Sequence, residues 1–244
     1  MMFLFNREKR ESRVLGGSRN ERRSGRLVTV VDPIGAPAEA YRTLRASLVH
    51  RLVDLPHKVI AMTGPGAGEG KSTTCANLGV VLAQAGSSTL ILDCDLRKPA
   101  IHEYFGLRNL SGVVDILTHE SDLREVWQEP LPGLTFVSAG PIPPNPAELL
   151  SSRRFSELID QAHREFDYVL VDTTPIQLAS DALTIAQQSD GVLLILDARN
   201  TSKGSVLQSI GRLESVGAKV LGTVMNNVKA PRQRKYDHTA YAYR

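Results

Sequence analysis

Residues 64–73 read GPGAGEGKST, four glycines and one alanine leading into a lysine and two hydroxyl side chains. Small residues in such a run let successive backbone N–H groups turn toward one anion, and a helix starting at its end adds a positive dipole. The chemistry is phosphate binding. Lys71 would reach β- and γ-phosphates, and Ser72 would ligate Mg²⁺. Nucleotide contacts are expected from Gly66, Gly68, Glu69, Gly70, Lys71, Ser72 and Thr73. The spacing G-x-x-x-x-G-K misses by one position, because Pro65 stands where the first glycine belongs and Gly64 precedes it.

Two acidic stretches complete the set. Residues 90–99, LILDCDLRKP, bring Asp93 and Asp95 to the end of an apolar run. Side chains two apart on extended chain point the same way. Paired carboxylates beside a triphosphate repel it unless a cation or a proton intervenes, which suits a metal contact or a base. Asp93 is expected to contact the metal and to orient or accept from a reacting hydroxyl. Asp95 shares those contacts, and Arg97 serves the phosphates or an acidic neighbour. Residues 167–175, DYVLVDTTP, place Asp172 after four apolar residues, the form of a Walker B strand whose Asp holds Mg²⁺ through water.

These groups need a frame that delivers them to one place. Short apolar runs at 59–62, 89–92, 134–137, 168–171, 192–196 and 220–225 have strand length and little alternation, as in strands buried on both faces. Helical patterns fall between them near 71–85, 147–165, 179–188 and 202–216, and another precedes them at 37–53, with Pro37 in its first turn. The alternation predicts an α/β fold, a doubly wound, mostly parallel sheet with helices on both faces. The runs end in the glycine loop, Asp93, Ser138, Asp172 and Asn226, and the carboxyl ends of parallel strands share one edge, where ligands bind.

Length and charge set the outer limits. The 244 residues suit one large domain, here expected over 27–228, between a basic flexible arm at 1–26 and a basic tail at 229–244. The arm holds eight basic and three acidic side chains and the tail five and one, so 16 basic face 22 acidic residues on the body. Basic ends suit an anionic surface, yet their few interleaved aromatics give no reason to expect nucleic acid. Cys75 and Cys94 are the only cysteines and make neither a metal-ligand spacing nor a disulfide framework, which fits a reducing cytoplasm. The opening MMFLF is too short for a signal core, and no apolar run approaches a membrane span. Tyr236, Tyr241 and Tyr243 stand in the last nine residues with no apolar pattern to bury them.

Taken together these residues resemble the bacterial tyrosine kinases of capsule and exopolysaccharide synthesis. EGKST and LDCDLRKP look like the family's two Walker-type motifs, and GPIPPNPAELLSS at 140–152 is similar to its loop-helix segment. DTTP resembles its DTPP with Thr174 in place of proline, and GTVMNN looks like the strand whose asparagine, here Asn226, reads adenine. EAYRTLR fits the E-x-x-R-x-x-R pattern through Glu39, Arg42 and Arg45. The resemblance implies ATP and Mg²⁺ as cofactors, phosphoryl transfer to the tail tyrosines of a neighbouring subunit, and a ring-like homo-oligomer built on the face of Glu39, Arg42 and Arg45. It further implies a transmembrane polysaccharide co-polymerase activator on a separate chain, a phosphatase as counterpart, and a cytoplasmic place at the inner face of the membrane. Other readings stay open: an ATPase switch like the partition and division-site proteins, and a module in which ATP only shapes an interaction surface. Many such switches carry an extra lysine early in the glycine loop, and 64–69 has none.

Overall fold

The computed structural model describes residues 2–6, 26–55, 58–119 and 121–229. The tail tyrosines and most of the basic arm lie outside them. In chain order the strands are β1 (Met2–Asn6), β2 (Lys58–Thr63), β3 (Thr89–Asp93), β4 (Gln128–Leu131), β5 (Leu134–Val137), β6 (Tyr168–Asp172), β7 (Gly191–Asp197) and β8 (Val220–Val228). The helices are α1 (Val28–Val31), α2 (Ala36–Arg51), α3 (Lys71–Ala83), α4 (Ile101–Phe105), α5 (Val113–His119), α6 (Leu123–Val126), α7 (Pro146–Leu150), α8 (Arg153–Glu165), α9 (Asp181–Gln187) and α10 (Lys203–Ser215).

The strands form one sheet in the order β1-β8-β7-β2-β6-β3-β5-β4. Every pairing is parallel except that of β4 with β5. Side chains alternate across it. Val59, Ala61, Leu90, Leu92, Val169 and Val171 pack with α8 and α9 on one face, while Ile60, Met62, Ile91, Leu170 and Ile195 pack with α2 and α3 on the other. Both faces are covered, which explains why the sequence shows continuous apolar runs rather than alternation. On α2, Leu44 and Leu48 are buried at helical spacing, and each such side chain contributes about 1.5–3 kcal/mol.

Three features depart from the sequence reading. Met2–Asn6, within the expected flexible arm, run as edge strand β1 alongside β8, with Leu4 opposite Met225. The helix expected over 147–165 is two helices, because the Ser152 side chain accepts the Phe155 amide and starts α8 afresh, a cap of about 1 kcal/mol. The short strand β4 was not legible at all.

Candidate functional site

β2 ends at Thr63, and the glycine loop carries the chain to α3, whose first residue is Lys71. Gly70 precedes it at φ 90°, a left-handed conformation, and a Cβ there would lie 2.5 Å from Asn226 Nδ2. Both facts require glycine. Among the described residues the amides of Ala67, Gly68, Glu69 and Gly70 have no hydrogen-bond partner, so they remain for an anion. The amide of Gly66 is different: it donates to Glu69 Oε2 at 3.0 Å. Glu69 is buried, its Oε1 accepts from the Thr201 hydroxyl at 2.7 Å, and burial raises its pKa. Its carboxylate is a strut of the loop, while its backbone amide stays open. Thr201 in turn accepts the Asp197 amide at 2.9 Å, fastening the loop to the end of β7. A cleft of about 320 Å³ lies over this strut, lined by the loop at Pro65, Gly66, Ala67 and Gly68 and by Gln177, Asn200 and Ser205.

On the other side stand the carboxylates. Asp93 and Asp172 are register partners at the ends of β3 and β6, and both are fully buried. Asp93 Oδ2 accepts the amides of Ala100 and Ile101 at 3.2 Å each, at the start of α4, while its Oδ1 has no partner. Asp172 makes no well-formed side-chain hydrogen bond through either oxygen, although the Ser72 hydroxyl is close enough to favour its anion. Burial pushes Asp172 up to about 7 against the pull of Lys71 and Ser72. Burial, then the charge of Asp172, drives Asp93 well above the usual carboxylate range. Asp95 is 8% exposed, and its Oδ1 accepts the Lys98 amide at 3.0 Å.

The structure thus gathers Lys71, Ser72, Asp93, Asp95 and Asp172 at one edge. No group of three or more His, Cys, Asp or Glu side chains suited to a metal occurs among the described residues. Mg²⁺ fits none the less, because it keeps several waters and takes few protein ligands beside phosphate oxygens. The orphaned oxygens of Asp172, beside Ser72, and of its register partner Asp93 are the groups such a hydrated ion would satisfy.

Three expected residues sit differently. Arg97 takes the acidic-neighbour alternative: Nε and Nη2 donate to the two oxygens of buried Asp181 at 2.8 and 3.2 Å. Asn226 spends its amide nitrogen on the Glu69 carbonyl at 2.8 Å and on Thr74 Oγ1 at 3.2 Å. Arg45 leaves the face it was expected to share with Glu39 and Arg42 and donates to the Val81 carbonyl of α3 at 2.9 Å, while Glu39 and Arg42 pair with each other at 2.7 Å. Thr73 lies in the first turn of α3, where its carbonyl accepts from Asn77.

Sequence reasoning missed Asp181, Thr201, Asn77, Thr74 and Tyr41. Asn77, fully buried on α3, accepts from the amide and hydroxyl of Thr29 at 3.1 and 2.9 Å and donates to the Arg26 carbonyl, pinning α1 to the phosphate-loop helix. No local pattern announces any of these, since the partners that tie them to the site, such as Arg97 for Asp181 and Glu69 for Thr201, lie far away in sequence.

Comparison with known proteins gives a consistent picture. The family model ParA, described as NUBPL iron-transfer P-loop NTPase, matches residues 54–243. The chain is 36% identical over 222 residues to the tyrosine-protein kinase YwqD of Bacillus subtilis, covering 91% of this chain and 94% of that one. It is 33% identical to the putative tyrosine-protein kinase CapB of Staphylococcus aureus, covering 84% and 90%. Among solved structures, the chimerical protein CapA2B2 superposes with TM-score 0.80 at 33% identity, over 84% of this chain and 91% of that one. The kinase domain of Escherichia coli tyrosine kinase ETK gives 0.80 at 30%, over 89% and 84%. The septum site-determining protein MinD from Pyrococcus horikoshii, at 19% identity and TM-score 0.60 over 69% and 70%, shares the fold.

Proposed function

Because the chain belongs to the bacterial tyrosine-protein kinases, within the ParA-like P-loop NTPases, we propose that it transfers the γ-phosphoryl group of ATP to tyrosines in the tail of a neighbouring subunit and so regulates capsule or exopolysaccharide synthesis. The observation that carries this reading is the juxtaposition of open loop amides and Lys71 with three unpartnered oxygens of Asp93 and Asp172 on one sheet edge.

The loop amides and Lys71 stabilise charge spread over the phosphoryl oxygens. Ser72 and Asp172 would hold Mg²⁺, with the unpartnered Asp93 Oδ1 close to them in the fold. The ion, when bound, neutralises the β- and γ-phosphate oxygens. Asp95 keeps an uncommitted oxygen and slight exposure, so it meets a tyrosine hydroxyl arriving from solvent, with fully buried Asp93 behind it. A phenol with an ordinary pKa near 10 gives its proton to a carboxylate only as transfer proceeds, so Asp95 orients the hydroxyl by accepting its hydrogen bond. Arg97, held by Asp181, ties the loop after β3 to the start of α9 and keeps Asp95 in place.

Tyr236, Tyr241 and Tyr243 are the proposed acceptors. Glu39 and Arg42, on the exposed side of α2, are the proposed ring contacts, and Arg45 supports them from within. A co-polymerase on a separate chain as activator, a phosphatase as counterpart and a place at the inner membrane face complete the proposal. Among the described residues no helix is long and apolar enough to cross a membrane. Phosphotyrosine formation by purified protein with Mg-ATP tests the reading. ATP hydrolysis without phosphotyrosine, with and without an activator's cytoplasmic segment, favours an ATPase switch instead.

A further inference from the structure

At and just beyond the ends of β3 and β6, four buried side-chain oxygens have no hydrogen-bond partner among the described residues. Asp93 and Asp172 hold three of them. The fourth is the hydroxyl of Thr174, which is 2% exposed. A buried hydroxyl left unpaired destabilises a fold, so its partner is to be sought in a ligand. Thr174 is also where DTTP departs from the DTPP it resembles, so the resemblance gives this hydroxyl no role.

Backbone pairing sets the side on which Thr174 lies. The Thr173 amide donates to the Met62 carbonyl at 3.1 Å, so the parallel ladder of β6 with β2 runs one residue past Asp172. Side chains keep alternating along it. Val169 and Val171 pack on the face of α8 and α9, and Leu170 packs on the face of α3. Asp172 and Thr174 continue the alternation of Leu170 and fall on the side of α3, the helix that opens with Lys71 and Ser72. The same stretch is laced to the start of the phosphate loop. The Thr63 hydroxyl donates to the Thr174 carbonyl and the Ile176 amide to the Gly64 carbonyl, each at 2.9 Å.

A nucleotide whose β-phosphate sits among the open loop amides directs its terminal phosphate toward Ser72 and Asp172, since the metal site there serves β- and γ-oxygens together. Thr174 stands two residues beyond Asp172 on the same side. We infer that the Thr174 hydroxyl donates a hydrogen bond to a γ-phosphate oxygen and so makes the chain favour ATP over ADP. This rests on the nucleotide-dependent reading above. A phosphate oxygen only accepts and a threonine hydroxyl donates, so the pair is matched and charge-assisted. ADP has no γ-phosphoryl group and leaves the hydroxyl as unpaired as it is in the free protein.

Competition of a non-hydrolysable ATP analogue and of ADP against a fluorescent nucleotide, with Mg²⁺ and the full chain, tests this. Thr174→Val keeps the side-chain shape and removes the hydroxyl. It lowers the triphosphate-to-diphosphate affinity ratio by about ten- to a hundredfold, the span of a hydrogen bond to a charged group. ADP affinity holds, and Thr174→Ser retains the ratio. In nucleotide-free protein Thr174→Val raises the melting temperature by about 2–4 °C, because the unpaired hydroxyl is gone. Thr174→Ala reads the same ratio if Thr174→Val fails to fold. An unchanged ratio in the hydroxyl-free variant, or equal weakening of both nucleotides, overturns the inference and leaves the kinase proposal standing. A lowered melting temperature in Thr174→Val overturns it too, because the hydroxyl would then have a partner without nucleotide. Wild-type protein that binds neither nucleotide overturns both.

Discussion

On the β7–β8 flank of the phosphate loop, the Gly66 amide meets Glu69, Glu69 meets Thr201, and Asn226 meets both Glu69 and Thr74. On the β6–β3 flank, Asp93 Oδ1 and both oxygens of Asp172 are buried without a well-formed hydrogen bond. The same fold closes its hydrogen bonds on one side and leaves them open on the other. Buried polar groups without partners cost about 1–3 kcal/mol each, so the open flank carries stored instability that the proposed metal-bound nucleotide would relieve. Hydrogen bonds that hold the loop on one flank, and buried carboxylate oxygens without partners on the other, are built side by side.

Substitutions at the heart of the site should break this contrast most severely. Lys71→Met removes the charge that faces both flanks and should lower phosphoryl transfer by at least about a hundredfold, measured as initial rate at saturating Mg-ATP. Gly70→Ala attacks the closed flank alone. Its Cβ would meet Asn226 at 2.5 Å from a left-handed backbone, so strain of about 1–3 kcal/mol should appear as a lower melting temperature with nucleotide binding lost.

The open flank has a signature in pH. Asp172 has a folded pKa of about 7 against an ordinary value of 3.8, so the folded chain holds the extra proton between them. Stability of the nucleotide-free protein therefore falls as pH rises through that window, by up to a few kcal/mol. Asp172→Asn should flatten the dependence of melting temperature on pH from about 4 to 7 and stabilise the nucleotide-free protein at pH 8. A dependence of unchanged slope would place the instability elsewhere.

Smaller effects belong to the supports. Asp181→Asn weakens the pair with Arg97, whose side chain is 48% exposed, so screening limits the cost to about 1 kcal/mol. Glu39→Ala removes an exposed pair with Arg42 and should cost the fold only a few tenths of a kcal/mol. A loss of assembly by light scattering, with the melting temperature unchanged, would support the ring contact.

The contrast also explains what could be read in advance. Lys71, Asp93 and Asp172 were legible because strand, small residues and charge follow one another locally, and strands buried on both faces leave continuous apolar runs such as 59–62 and 168–171. β4, with sequence QEPL, carries polar and proline residues at an antiparallel edge and gives no such signal. The closed flank was the hidden one. Asn226 and Thr74 are 152 positions apart, and Arg45 reaches Val81 across 36, so nothing local distinguishes an internal anchor from an exposed charge.

The central claim is tested most directly by phosphotyrosine formation on purified protein with Mg-ATP, with and without an activator's cytoplasmic segment, beside Lys71→Met and a Tyr236/Tyr241/Tyr243→Phe triple variant. The account predicts a phosphotyrosine signal in wild-type protein that disappears in both variants. ATP hydrolysis with no phosphotyrosine under either condition would contradict it.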